Sequence, residues 1–417
     1  MTRTMNRPLT ICSCNKTRRR LSAYRQPAST FPALRGRAFC IGLLLTGLAG
    51  LTGFSASATA TPGPIKTDFN DSDVLLKLPE PTLTAPAIPA SPEQLADLVR
   101  RRIDRARSTG DPRFLGYAEG ALQQWQGELT DRLLVLRATL EQSLHRFASA
   151  RHDLDSVIHN ARDPQQKTQA ILLLANLETV QGNYGAAKKH CEQLHQRYPG
   201  LIASSCLAQL DARTGRARQA YQTLKRQVAV AKADTTSASW AEGTLGDIGA
   251  QLDMPEAAEH WRSVLDASPD DLYTRAQLAD WNLSQNQPDR ALALTAGYSE
   301  VDTLAVIRAI AMARSGHPAA GTLAESLRER FAEARWRGNL LHQRDMARFL
   351  LDIEGDAGAA LTFAKRNWEE QREPFDTRLL LRAAHAADDD RSLQQVSSWL
   401  KEHGQTDARF PGVTHEE

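Results

Sequence analysis

The stretch "ANLETVQGNYGAAKKHCEQLHQRYP", Ala175 to Pro199, decides the fold of this 417-residue chain. A run with helical periodicity ends at Gly182, a residue that tolerates the left-handed backbone of a helix terminus. Tyr184 then opens a second periodic run, and Ala187 sits just inside it. Pro199, which lacks an N–H and cannot continue a helix, marks the stop. The stretch therefore reads as one helical hairpin. Whether the chain repeats it determines everything else.

Aligned on Ala187, the same small residue recurs at Ala150, Ala187, Ala220, Ala257, Ala291 and Ala360, with spacings of 37, 33, 37, 34 and 69 residues. The last spacing is two units, with Gly321 near its middle. Twelve residues earlier, on the first helix, stand Ala138, Ala175, Ala208, Leu245, Ala279 and Arg348. Five residues earlier, at the turn, stand His145, Gly182, Gly215, Leu252, Asn286 and Gly355. Four residues later come Leu154, Cys191, Leu224, Trp261, Thr295 and Ala364. Arg348 and Thr295 depart most from this register. Small residues on both helices let the axes approach, so that ridges enter grooves. A single pair cannot bury its apolar face, whereas stacked copies can.

A helix-turn-helix unit with a period near 34, small residues on both helices and a terminal proline (Pro164, Pro199, Pro269) resembles the tetratricopeptide repeat, TPR. Phe147 and Tyr184 take the aromatic position that begins the second helix. The likeness runs from Pro92 to His403. It is clearest over 168–199, 238–269 and 272–298, weaker over 131–163, 201–232 and 341–372, and degenerate at both ends. It implies an all-α fold: a right-handed superhelical solenoid of about eight to nine TPR-like helix-turn-helix repeats.

Outside the repeat, the first sixty residues carry nine Lys or Arg and no Asp or Glu. They continue into "AFCIGLLLTGLAGLTGF", 38–54, and small residues ending Ala58-Thr59-Ala60. A basic flank, an apolar run and a small-residue end read as a secretory signal cleaved after Ala60, with the remainder exported to the periplasm. The alternative is an uncleaved anchor in the inner membrane, for which the apolar run sits at the lower length limit. "TRRRLS", 17–22, lies too far upstream of that run for a twin-arginine signal, and Cys40 is misplaced for lipidation. Residues 61–90 form a Pro-rich linker, 91–403 the TPR-like domain and 404–417 a C-terminal tail.

Removing nine of the 51 basic residues and none of the 49 acidic ones leaves 42 against 49, a net charge of −7. A mildly acidic body gives no electrostatic basis for binding nucleic acid, and a membrane is met only through the leader, if that is retained. Hydrophobic residues at 41% and charged residues at 24% exclude both a disordered chain and a membrane bundle.

No cofactor or catalytic chemistry is expected. The sequence holds no Gly-rich phosphate loop and no GxSxG elbow. In "KKHCEQLH", His190 and His195 stand five apart and point in different directions on a helix, so they are not a metal pair. His152 and His159 share a face but lack a third ligand. The acidic run "HAADDDRS", 385–392, reads as a solvated turn. Trp240, Trp261, Trp281 and Trp368 fall on the packed seam, whereas Trp125, Trp336 and Trp399 fall on no clear face. Two cysteines remain after the leader. Cys191 lies on the second helix of one unit and Cys206 on the first helix of the next, so they are either a disulfide or two reduced core residues.

What the family resemblance leaves is the concave face, lined by first helices. Its positions map onto Gln169, Leu172, Asn176 and Thr179, then Ile202, Ser205, Gln209 and Ala212, then Tyr273, Ala276, Asp280 and Leu283. Asn176 matches the asparagine of the family's carboxylate-clamp members, but Leu172 stands where their lysine belongs. Acidic C-terminal tails are therefore not the expected ligand. The mixed polar and apolar lining suits a protein segment. The expectation is a non-catalytic adaptor or scaffold of the bacterial envelope that binds protein partners through this face. The alternative is a structural or regulatory subunit of an envelope secretion, transport or cell-wall enzyme complex. No segment of domain length is left over for a catalytic domain.

Overall fold

The structure, a computed structural model, describes residues 89–338 and 343–411. The leader 1–60, nearly all of the linker 61–90 and the last six residues of the tail 404–417 lie outside the described residues.

Among the described residues, helices follow one another as nine hairpins. They are α1 (Pro92–Thr109) with α2 (Arg113–Gln123), α3 (Asp131–Ser143) with α4 (Phe147–Asn160), and α5 (Pro164–Val180) with α6 (Tyr184–Arg197). Next come α7 (Leu201–Arg213) with α8 (Ala217–Val230), α9 (Thr235–Gln251) with α10 (Glu256–Ala267), and α11 (Leu272–Ser284) with α12 (Pro288–Leu294). The last three pairs are α13 (Asp302–Arg314) with α14 (Ala320–Trp336), α15 (Gln343–Phe349) with α16 (Ala357–Glu370), and α17 (Pro374–Ala386) with α18 (Asp390–His403). Between α15 and α16 the chain makes one wider π-type turn, Leu350–Glu354. Among the described residues there is no strand.

Side chains start these helices. Ser91, Thr130, Asp163, Asp234, Asp271, Asp356 and Asp389 each accept a backbone N–H of the first turn, satisfying donors that the helix itself cannot pair. Asp389 belongs to the acidic run 385–392, which is thus a capped turn. Pro92, Pro164, Pro288 and Pro374 occupy first turns, where the missing N–H costs nothing.

The alanine register holds in space: Ala150, Ala187, Ala220, Ala257, Ala291 and Ala360 are all buried. The helices are close enough that a Cβ on Gly246 of α9 would lie 2.6 Å from the indole of Trp261 on α10. At the turn, His145, Gly182, Gly215, Asn286 and Gly355 take positive φ. The aligned Leu252 does not, because α9 runs one residue further and Asp253 takes the left-handed position instead, at φ 53°. Aspartate tolerates that conformation better than leucine. Thr295, a departure from the register, is buried and donates its hydroxyl to Ala291 O at 2.8 Å.

Each odd-numbered helix touches the next odd-numbered helix, from α1 through α17, so the first helices form one continuous file. The file bends back on itself, since α1 also touches α11. The bend brings late residues onto early helices. Arg372 N–H donates to Val180 O at 2.7 Å, and Gln371 meets the ring of His145. Tyr184, Ala187 and Leu210 share one apolar core with Trp368, Leu379, Trp399, Leu400 and Phe410. Tyr184 and Trp399 stand 5.8 Å apart, centroid to centroid.

Candidate functional site

The expected groove is largely covered by the chain itself. Among its concave-face residues, Gln169, Gln209 and Tyr273 are half-buried, while Leu172, Asn176, Thr179, Ile202, Ser205, Ala276 and Asp280 are buried. Ala212 and Leu283 are buried as well. An open channel lined by first helices is therefore not what the structure presents. Late residues meet the earlier hairpins at His145, Val180 and Tyr184, and α17 reaches the groove residue Asp280 of α11 through Arg378.

Several of these side chains are already engaged. Thr179 donates its hydroxyl to Ala175 O at 2.8 Å within its own helix. The Tyr273 hydroxyl donates to Asp247 Oδ2 at 3.3 Å and accepts from Gln277 Nε2 at 3.2 Å. Asp280 is gripped by two guanidinium groups, Arg348 of α15 and Arg378 of α17. Arg348, the misfit of the alanine register, is thus the partner of a groove carboxylate. Burial alone would push the Asp280 carboxyl up, but the charges of Arg348 and Arg378 outweigh it and hold the group well below the usual carboxylate range.

The same region carries further ion pairs. Arg344 binds Asp376 at 2.6 Å and Glu373 at 3.1 Å, and Asp352 sits between Arg348 and Arg382. Arg344, Arg348 and Arg378 all face the Phe375 ring, at 5.4, 5.1 and 5.1 Å, and so combine charge pairing with cation–π contact. Beside this cluster lies a cavity of about 100 Å³. Its walls include Leu272, Ala276, Val301, Leu304, Ile307 and Phe375, with Asp280, Arg344 and Asp345 at the polar side. It has room for several waters or a short side chain.

Other groups on the inner helices keep unused capacity. The side-chain amide of Gln142 on α3, Asn176 Nδ2 on α5 and Ser205 Oγ on α7 are buried without a hydrogen-bond partner. They lie on three successive first helices of the file.

Elsewhere, Cys191 and Cys206 are joined in a disulfide with Cα atoms 5.6 Å apart, linking α6 to α7. A 15-residue closure of this kind is worth about 3 kcal/mol in the chain-entropy account. His190 is half-buried and His195 exposed. Among the described residues no group of three His, Cys, Asp or Glu is placed to hold a metal ion. Trp240, Trp261, Trp281, Trp368 and Trp399 are buried, Trp125 is half-buried and Trp336 is exposed.

One hydrogen-bond chain was not legible in the sequence. Glu242 Oε2 lies 2.7 Å from His260 Nδ1, and His260 Nε2 lies 2.9 Å from the Tyr221 hydroxyl. Burial pushes the Tyr221 phenol up. The three side chains link α8, α9 and α10. No spacing in the sequence announces them.

A scan against models of protein families finds no match, and a search of curated proteins finds none either. Among solved structures, the chain is similar to a tetratricopeptide repeat protein from Parabacteroides merdae, at 14% identity over 70% of this chain and 98% of that one, with a TM-score of 0.34. It is also similar to the TPR domain of P58(IPK), at 12% identity over 72% of this chain and 90% of that one, with a TM-score of 0.20. Likeness at this level concerns the run of helical hairpins alone.

Proposed function

We propose that this chain is a non-catalytic scaffold that binds a protein segment along the inner face of its file of first helices. The observation that carries this reading is the set of buried, unpartnered polar atoms on Gln142, Asn176 and Ser205. Such a group costs about 1–3 kcal/mol when left unpaired, so three of them on consecutive inner helices favour an opened face on which a peptide backbone pairs them. The half-buried Gln169 and Gln209 extend the same face. The chain works in the periplasm, exported by the leader 1–60, and its partners are envelope proteins. The basic-apolar-small order of that leader supports this location, as does a cystine between α6 and α7, since such bonds persist in oxidising compartments.

The test is cross-linking in intact cells followed by pull-down. Asn176→Ala combined with Gln209→Ala should weaken partner capture several-fold, with helix content and melting temperature nearly unchanged. Undiminished capture by the double variant removes the inner face from the interaction. Recovery of the chain with the cytoplasmic fraction removes the proposed location.

A further inference from the structure

The residues just after α18 are held as a ligand is held. Gly404 takes a left-handed turn at φ 63° and sends the chain past the start of α6, the α7–α8 turn and the last residue of α9. There it passes so close to the turn between α7 and α8 that a Cβ on Gly215 would lie 2.9 Å from Gly404 O. Gln405 Oε1 accepts the Tyr184 hydroxyl at 3.0 Å. Gln251, the last residue of α9, then grips the main chain twice: its Nε2 donates to Thr406 O at 2.5 Å, and its own carbonyl accepts the Ala408 N–H at 2.9 Å. Phe410 is buried in the core that contains Tyr184, Leu210 and Trp399.

Two features separate this segment from an ordinary packed loop. Its buried carboxylate is satisfied from within: Asp407 accepts from Arg409 N at 2.9 Å, Nε at 2.8 Å and Nη2 at 2.6 Å. Asp407 therefore brings its counter-charge with it, and leaving would strand no carboxylate in the wall. The contacts from Gln251 are to peptide groups alone, which any polypeptide supplies. Selectivity comes from the aromatic anchor and from Arg409, whose charge feels Asp247 and Asp280 of the inner wall.

We infer that residues 405–410, QTDARF, are an intramolecular occupant of the inner face, and that the segment bound in trans shares their chemistry. That segment carries a carboxylate, then an arginine two residues on, then an aromatic side chain, and it enters only when the chain's own copy leaves. This inference rests on the reading of the inner face as a peptide site, and it adds both the kind of peptide and the competition for it.

The experiment uses a fluorescent peptide of residues 404–411 and the full chain. Wild type, with its site filled, should bind the peptide at least tenfold more weakly than the full-length variant Asp407→Ala/Phe410→Ala, whose own segment is released. The same peptide carrying Phe410→Ala should lose at least tenfold in affinity for that variant. Equal binding by wild type and variant overturns the inference, and so does a folded variant that ignores the peptide. A variant that loses its helical circular dichroism identifies the segment as a structural strut, which also overturns it. Hydrogen exchange on the unmodified chain gives an independent readout: the Ala408 amide should exchange at least a hundredfold faster than the central amides of α17. Exchange of both at one common rate shows that the segment opens only with global unfolding, and the inference falls. If the peptide fails while the Asn176/Gln209 variant still loses its partner, the inner face stands as the site and only the cis occupant is refuted.

Discussion

Hairpins α3–α8 and hairpins α13–α18 solve the same packing problem in different ways. In the earlier set, alanines on facing helices let the backbones approach, the apolar cluster runs between neighbouring hairpins, and the Cys191–Cys206 bond staples one hairpin to the next. Within that cluster each hairpin packs on its neighbour, and distant residues reach this set only at its turns and helix ends, as at His145, Val180 and Tyr184. In the later set, buried arginines pair with carboxylates from distant helices, and one core gathers residues from α6, α7, α13 and α18. Repetition suffices where a unit meets only its neighbour. Where the bend brings strangers together, specific charges fix the fit.

The contrast breaks most visibly at Asp280. Replacing it, Asp280→Asn, leaves Arg378 buried without its counter-ion and Arg348 with Asp352 alone, which should cost about 3–5 kcal/mol in urea unfolding. The pH dependence follows the sign of the shift. A carboxyl held below its ordinary value adds stability that is complete above about pH 4 and is lost as the pH falls further. The variant should therefore show a shallower loss of stability in acid than wild type. Unfolding curves that coincide at neutral pH would show the cluster to be dispensable.

A smaller effect is expected in the earlier set. Cys191→Ser with Cys206→Ser should lower stability by about 3 kcal/mol, with the loss matched by adding reductant to wild type. Mass spectrometry of non-reduced protein that finds both thiols free would remove the staple from the comparison. Smaller again is Ala187→Trp, which overfills a seam where the alanine has no exposed surface. It should cost about 1–3 kcal/mol, read as a shift in melting temperature. A fully stable variant would mean that the hairpins are not in the register described.

The sequence made the early set readable because its rule is steric and local. A position that admits only a small side chain shows itself at every copy, and all six aligned alanines proved buried. The turn register was readable to within one residue, failing only where aspartate at 253 replaced leucine at 252 as the left-handed residue. The closure of the inner face was not readable. It depends on small rotations summed over many hairpins, and its key pairs join Asp280 to residues 68 and 98 positions away. Arg348 was the available clue, since an arginine in a row of alanines signals that something charged lies opposite. Phe410 and Asp407 gave no such sign, because neither belongs to the repeat. The groove residues could be named from the register, yet their burial followed from what lies across from them.

Tyr184 meets Gln405 from 221 positions away, so the two ends of this contact are made far apart in time. A polypeptide threaded out of a ribosome presents α5 and α6 long before their cover exists. Tyr184, Ala187 and Leu210 are thus synthesised well before Trp399, Leu400 and Phe410, the side chains that complete their core.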